Sequence, residues 1–195
     1  MQSVSGGAMP RHFAQPGEWV KVAQTSDVER QCQLVDVLLA VLKKAVCEAP
    51  ERQKGLEALN YLITSASLTA REYLAEQLAH WDEAPEDLLV PLAYEEDFIA
   101  RSILHHANLS DNELLYVIAA KGAPHWRVIA ARPCLGQAVA DKLITKQELG
   151  TLHQLLCNTS LEFDFALWDR LEVLARQNPL LHRTWNSRFE TETMH

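Results

Sequence analysis

The sequence predicts an all-α fold of the α-solenoid class, HEAT-like and built from short helical repeats of about 26 residues. Three observations predict it. Apolar residues recur at a fixed 26-residue step, in Leu109, Leu135 and Leu161, in Leu78, Leu104, Ala130 and Leu156, and in Leu62, Leu88, Leu114, Ala140 and Ala166. A fourth column, Ile63, Leu89 and Leu115, is interrupted by Asp141 and resumes at Leu167. Glycine is scarce, 7 in 195 residues, and alternating polarity is rare, which leaves little room for strands. Pairs of the type S/T-x-x-E that mark helix starts recur at Ser26 and Glu29, Thr69 and Glu72, Ser110 and Glu113, and Thr145 and Glu148.

Taken in order, residues 1–25 mix Gly, Pro and Ser without periodicity and predict a flexible tail. A single domain is expected over 26–185, with N-terminal helices over 26–66 as a cap and the repeats over roughly 70–178. The helix expected over 26–48 is apolar around most of its circumference, with Asp36, Lys43 and Lys44 as a narrow wet stripe. Such a helix packs inside the chain or forms half of a homodimer interface. Within each repeat, Asp82, Asn108, Cys134 and Ser160 fall at the turn between two helices, and three of the four are short polar residues suited to it. Pro50, Pro85, Pro124 and Pro179 stand where a first-turn proline is tolerated. Residues 186–195 are polar and read as a second tail. A helix–turn–helix unit has one apolar face it cannot bury alone, so its neighbours must stack on it.

Composition narrows the function classes. With 48% hydrophobic residues the chain can close a core, and its net charge of −8 argues against a general binder of nucleic acid or anionic membrane. No segment is long and apolar enough to serve as a signal or spanning helix, so a cytoplasmic protein is expected. Four cysteines, Cys32, Cys47, Cys134 and Cys157, show no CxxC or zinc-finger spacing and read as buried small hydrophobes. A Gly-rich phosphate loop, HExxH and GxSxG are all missing from the sequence, so no enzyme and no cofactor is expected.

Residues 71–144 carry an "L-A-x-x-L" opening at Leu74 to Leu78, an "A-N-L-S-D-N-E-L-L" unit and an "I-A-A-R-P-x-L" unit followed by "A-V-A-D-x-L". This stretch resembles an uncharacterised bacterial family of HEAT-like helical repeats, a domain of unknown function. It is also similar to leucine-rich-variant helical repeats, without the cysteine cluster that holds an iron–sulfur centre in one such protein. The resemblance implies a fold and carries no activity.

Two polar columns are the main site candidates. His80, His106, Arg132 and Asn158 are 26 apart, and so are Arg101, Arg127 and His153. Stacking turns each column into a stripe. One reading is a groove for an acidic or phosphorylated protein or peptide, with Trp126 as an anchor; the other is a ladder of hydrogen bonds between adjacent turns. The acidic run from Glu72 to Asp97 reads as a solvated face or as a surface for a basic partner. Ser102 and His106 lie one turn apart without an activating third group. His105, His106 and His125 are weak metal candidates, because no helix offers a pair of histidines four apart. His105 is anomalous, since its column is otherwise Ala79, Ala131 and Cys157.

The leading expectation is a non-catalytic protein- or peptide-binding module in bacterial regulation. One alternative is a glycosylase-like enzyme acting on nucleic acid, with Arg101, Arg127, Arg132, Lys121, Lys142 and Lys146 as its basic strip. Another is a histidine-based metal or redox sensor.

Overall fold

The computed structural model describes residues 16–44 and 48–190, and its elements are twelve α-helices, with no strand among the described residues. The chain divides into two units, residues 1–77 and 78–195.

The first unit contains α1 (Pro16–Ala23), α2 (Val28–Leu42), α3 (Ala49–Ser65) and most of α4 (Leu68–Ala79). The tail expected to residue 25 is therefore helical from Pro16, because Trp19 and Ala23 are buried, at 2% and 1% exposure. The expected helix over 26–48 ends at Leu42, and Pro50 starts α3 in its first turn. Leu34, Val35, Leu38, Leu39, Val41 and Leu42 are all buried, while the exposed positions of α2 are Glu29, Arg30, Gln33, Asp36 and Ala40. The face that suggested a dimer thus lies inside the chain, with α1 and α3 packed on α2. A buried glutamine fastens this unit. Gln31 donates from Nε2 to the carbonyls of Ala23 and Thr25 (3.2 and 2.8 Å) and accepts at Oε1 from Ser67 Oγ (3.2 Å). Its amide is satisfied at both ends, as burial demands.

The second unit holds α5 (Glu86–Ala93), α6 (Asp97–His106), α7 (Asp111–Ala120), α8 (Ala123–Ala130), α9 (Gln137–Lys146), α10 (Leu149–Cys157), α11 (Phe165–Arg176) and α12 (Pro179–Glu190). Helices two apart pack together: α6 on α8, α8 on α10 and α10 on α12 make one layer, and α7 on α9 and α9 on α11 make the other. Layers meet where α7 touches α8, α9 touches α8 and α10, and α11 touches α12. Most residues of the 26-residue columns lie in its core, although Leu115 and Leu135 are only half-buried. Leu78, Leu104, Ala130 and Leu156 are each at most 1% exposed, as are Ile103, Ile129 and Leu155 beside them.

The helix starts carry the repeat and reveal where it slips. Residues capping the α6, α8 and α10 N-termini are Glu96, Gly122 and Glu148, 26 apart, but the next equivalent, Asn178, comes 30 later. The extra residues lie in the turn before α11 and in α11 itself. For this reason Ala166, placed in a buried column by the sequence step, is exposed, while Leu167 and Leu171 are buried. All four prolines sit in first turns or at a helix start. Of the four capping boxes, only Ser110 caps as expected, accepting from the Glu113 amide. Elsewhere a neighbour competes better: Asp27 caps α2, Ser67 caps α4 and Glu148 itself caps α10. The polar tail expected from 186 is helical as far as Glu190, the end of α12.

Candidate functional site

In the column His80, His106, Arg132 and Asn158, the last three stand where α6, α8 and α10 end. The last carbonyls of a helix have no partner within it, so a donor from the next turn satisfies them. Arg132, just past α8, donates to the carbonyls of Leu104 and Ala107 at the end of α6 (2.5 and 2.8 Å). Asn158, just past α10, donates to Ala130 and Arg132 at the end of α8 (3.0 and 2.7 Å). Arg188, on α12, repeats the pattern on Leu156 and Asn158 (3.0 and 2.7 Å) and reaches Leu161 (3.2 Å). This is a ladder of hydrogen bonds tying each repeat to the one before. Burial makes the Arg132 guanidinium easier to deprotonate than a solvated one, and the negative end of the α6 dipole faces it.

The ladder is different at its first position. There His106 packs against His80 and His105, with ring centres 4.8 and 4.3 Å apart and Nδ1 of the two adjacent histidines 3.4 Å apart. Partial burial, then His105, His80 and Arg132, push the His106 imidazole below its ordinary range, favouring the neutral ring. Among the described residues no hydrogen bond joins Ser102 to His106, and no group of three or more His, Cys, Asp or Glu could hold a metal ion. His125 is buried with Nε2 3.0 Å from the Glu95 carbonyl.

The second column behaves otherwise. Arg101 and Arg127 line one groove of about 470 Å³ on α6 and α8, together with His105, Asp97, Ala131 and Gln154. The anomalous His105 is thereby explained: it is half-buried at the groove wall, where the next repeat has Ala131. Arg101 is exposed and only 3.9 Å from Asp97 at its closest, a weak ion pair. Arg127 is held more firmly, donating from Nε and Nη2 to Glu148 (3.2 and 2.6 Å). Glu148 also caps α10, accepting from the amides of Gly150 and Thr151 and from Thr151 Oγ1 (3.1, 2.7 and 2.7 Å). The Arg127 guanidinium above all, with the Thr151 and Gly150 donors adding to it, holds the Glu148 carboxyl at about 2. Two local features permit this geometry. Gln147 takes the left-handed conformation (φ 51°) that turns α9 directly into α10, and a Cβ at Gly150 would stand 2.4 Å from Arg127 Nε.

His153 lies in a second groove of about 460 Å³, on α10 and α12, with Cys157, Arg183 and Ser187. Allowing for the slip of four residues, Arg183 continues the column Arg101, Arg127, His153, and Arg188 continues the ladder. The sequence step missed both. The signal that could have found them is the capping asparagine, Asn178, four residues beyond the place where the 26-residue step puts it.

Other candidates are spoken for. Trp126 is half-buried, donates from Nε1 to the Ile118 carbonyl (3.0 Å) and carries Lys146 Nζ 4.7 Å from its ring centre. The basic strip considered for nucleic acid thus has Arg132 on backbone carbonyls, Arg127 on a carboxylate and Lys146 on an indole. In the acidic run, Glu72, Glu76, Asp82, Glu83, Glu86, Asp87 and Glu96 are exposed. The cysteines depart from expectation: Cys134 and Cys157 are exposed, Cys32 is half-buried, and Cys47 lies outside the described residues. No helix among the described residues is long and apolar enough to cross a membrane.

Residues 99–188 match the family model described as "Uncharacterised protein conserved in bacteria (DUF2336)". The match covers most of α6 through most of α12, the part of the chain that holds the ladder and, apart from Asp97, both grooves. No curated protein and no solved structure matches the chain.

Proposed function

We propose that the second unit is a short α-solenoid of HEAT-like repeats that binds an acidic protein or peptide segment, a non-catalytic interaction module in cytoplasmic bacterial regulation. One observation carries this reading: Arg101 and Arg127 line one groove, and His153 and Arg183 line the next at equivalent positions of successive helices. Stacked repeats create extended surfaces of this kind, and equivalent positions present themselves at a regular spacing along them. An extended chain with carboxylates or phosphates can meet several such positions together. Asp97 and Glu148 already pair with two of the cations, so a ligand must compete with them, which favours a multivalent acidic segment over a single anion.

The test uses fluorescent peptides on the full chain: an oligoglutamate, a phosphoserine-rich peptide and an oligolysine of equal length. The acidic peptides are expected to bind, more weakly as salt rises, and Arg101→Glu and Arg183→Glu should each weaken binding on the order of tenfold. Equal binding of glutamate and lysine peptides, or no effect of either substitution, overturns the reading. The ratio between glutamate and phosphoserine affinities then decides which anion the grooves prefer.

A further inference from the structure

Cys157, a residue that the function above does not use, pairs with His153 in the second groove. Both stand on α10, one turn apart, and Cys157 Sγ lies 3.7 Å from Nδ1 and from Nε2 of the imidazole. The thiol is exposed. It opens into the groove that Arg183 lines from α12, so a nucleophile, a base and a cation share one cleft. One feature would ordinarily oppose a thiolate here, because Cys157 ends a helix and the negative end of the dipole disfavours an anion. That end is covered. The Arg188 guanidinium sits on the carbonyls of Leu156 and Asn158, on either side of Cys157.

We propose that Cys157 is a site of mixed-disulfide formation with the disulfide of a small carboxylate-bearing thiol, with His153 as the base and Arg183 facing the carboxylate. His153 takes the proton from Sγ, and the thiolate attacks one sulfur of the incoming disulfide. A bond forms between Cys157 and that sulfur as the original S–S bond breaks, and the departing thiolate takes the bonding pair and then the proton from His153. The incoming disulfide is the oxidant, so the exchange balances without another reagent. The exchange shares His153 and Arg183 with the proposed peptide groove but needs no bound peptide, since its reacting atoms all lie in this one cleft.

The other thiols supply references within the same molecule. Cys134 is exposed but lies in the turn between α8 and α9, with no histidine bonded to it among the described residues, and burial first, then Asp36, pushes the Cys32 thiol up. The full chain is treated separately with glutathione disulfide, which carries carboxylates, and with cystamine, a cationic disulfide; each cysteine is then followed by peptide mass mapping after acid quench. Cys157 should be modified first, with a rate ratio over Cys134 that is larger for glutathione disulfide than for cystamine. His153→Gln should slow Cys157 with both reagents, on the order of tenfold. Arg183→Gln should slow the reaction with glutathione disulfide and remove its preference over cystamine, whose rate should not fall. Modification of Cys134 as fast as Cys157 in the wild-type chain, or a wild-type rate in His153→Gln, overturns the site. A cystamine ratio equal to or above that of glutathione disulfide overturns the assignment of the carboxylate class.

Discussion

Arg132, Asn158 and Arg188 stand at or just past the last turns of α8, α10 and α12, and Arg127, His153 and Arg183 stand five residues earlier along the same chain. Both columns are polar and keep the same step, yet the first is spent on backbone carbonyls and the second lines open grooves. The difference comes from what each position faces. A donor opposite the end of the neighbouring helix meets carbonyls that have lost their partners, and satisfying them is worth more than solvation. A donor one turn earlier faces the side of that helix, whose carbonyls are already used, so it turns to side chains or to a ligand.

The largest test of this contrast is stability. Arg132→Met removes two hydrogen bonds from a charged donor and leaves the Leu104 and Ala107 carbonyls unmet, so urea denaturation should show a loss of about 3 kcal/mol. Arg101→Met should change stability by less than about 0.5 kcal/mol. Equal losses would erase the distinction between the columns.

A smaller effect sharpens it at Glu148, which belongs to the groove side but also caps a helix. Glu148→Gln should cost about 1 kcal/mol at neutral pH, the worth of a good cap, and more than Arg127→Gln, which leaves the cap in place. The carboxyl is held at about 2 in the folded chain against an ordinary 4.5. Its contribution is therefore complete above about 4.5 and is lost as pH falls toward 2. Wild-type and Glu148→Gln stabilities should converge across that window, and a constant gap would mean that the charge plays no part.

The smallest effect concerns His106, where the ladder position holds an imidazole. Its folded-state value is lowered, so its contribution is present above about 6.5 and is lost as pH falls through the folded value. The neighbouring His80, His105 and Arg132 all act in the same direction. His106→Gln should flatten the decline in stability just below neutral pH, measured by thermal melting, while His80→Gln should flatten it less.

The sequence by itself determined the helical class, the 26-residue step, the prolines at helix starts, most of the buried column positions through Leu156 and the two polar columns. These are local or periodic properties: a proline restricts its own turn, and an apolar column survives in any stack that buries one face. Tertiary structure alone decided which polar column is structural, because that depends on whether a side chain meets the end or the flank of another helix. It also decided the slip of four residues that brings Arg183 and Arg188 into line, since spacing counts residues while packing aligns helices. The pairing of Arg127 with Glu148, 21 residues away, needed the left-handed Gln147 and the bare Gly150 together, and neither announces its partner in the sequence. His105 was legible as an anomaly, but its place on the groove wall was not, because only the stacked neighbour, with Ala131 at the same position, shows what it faces.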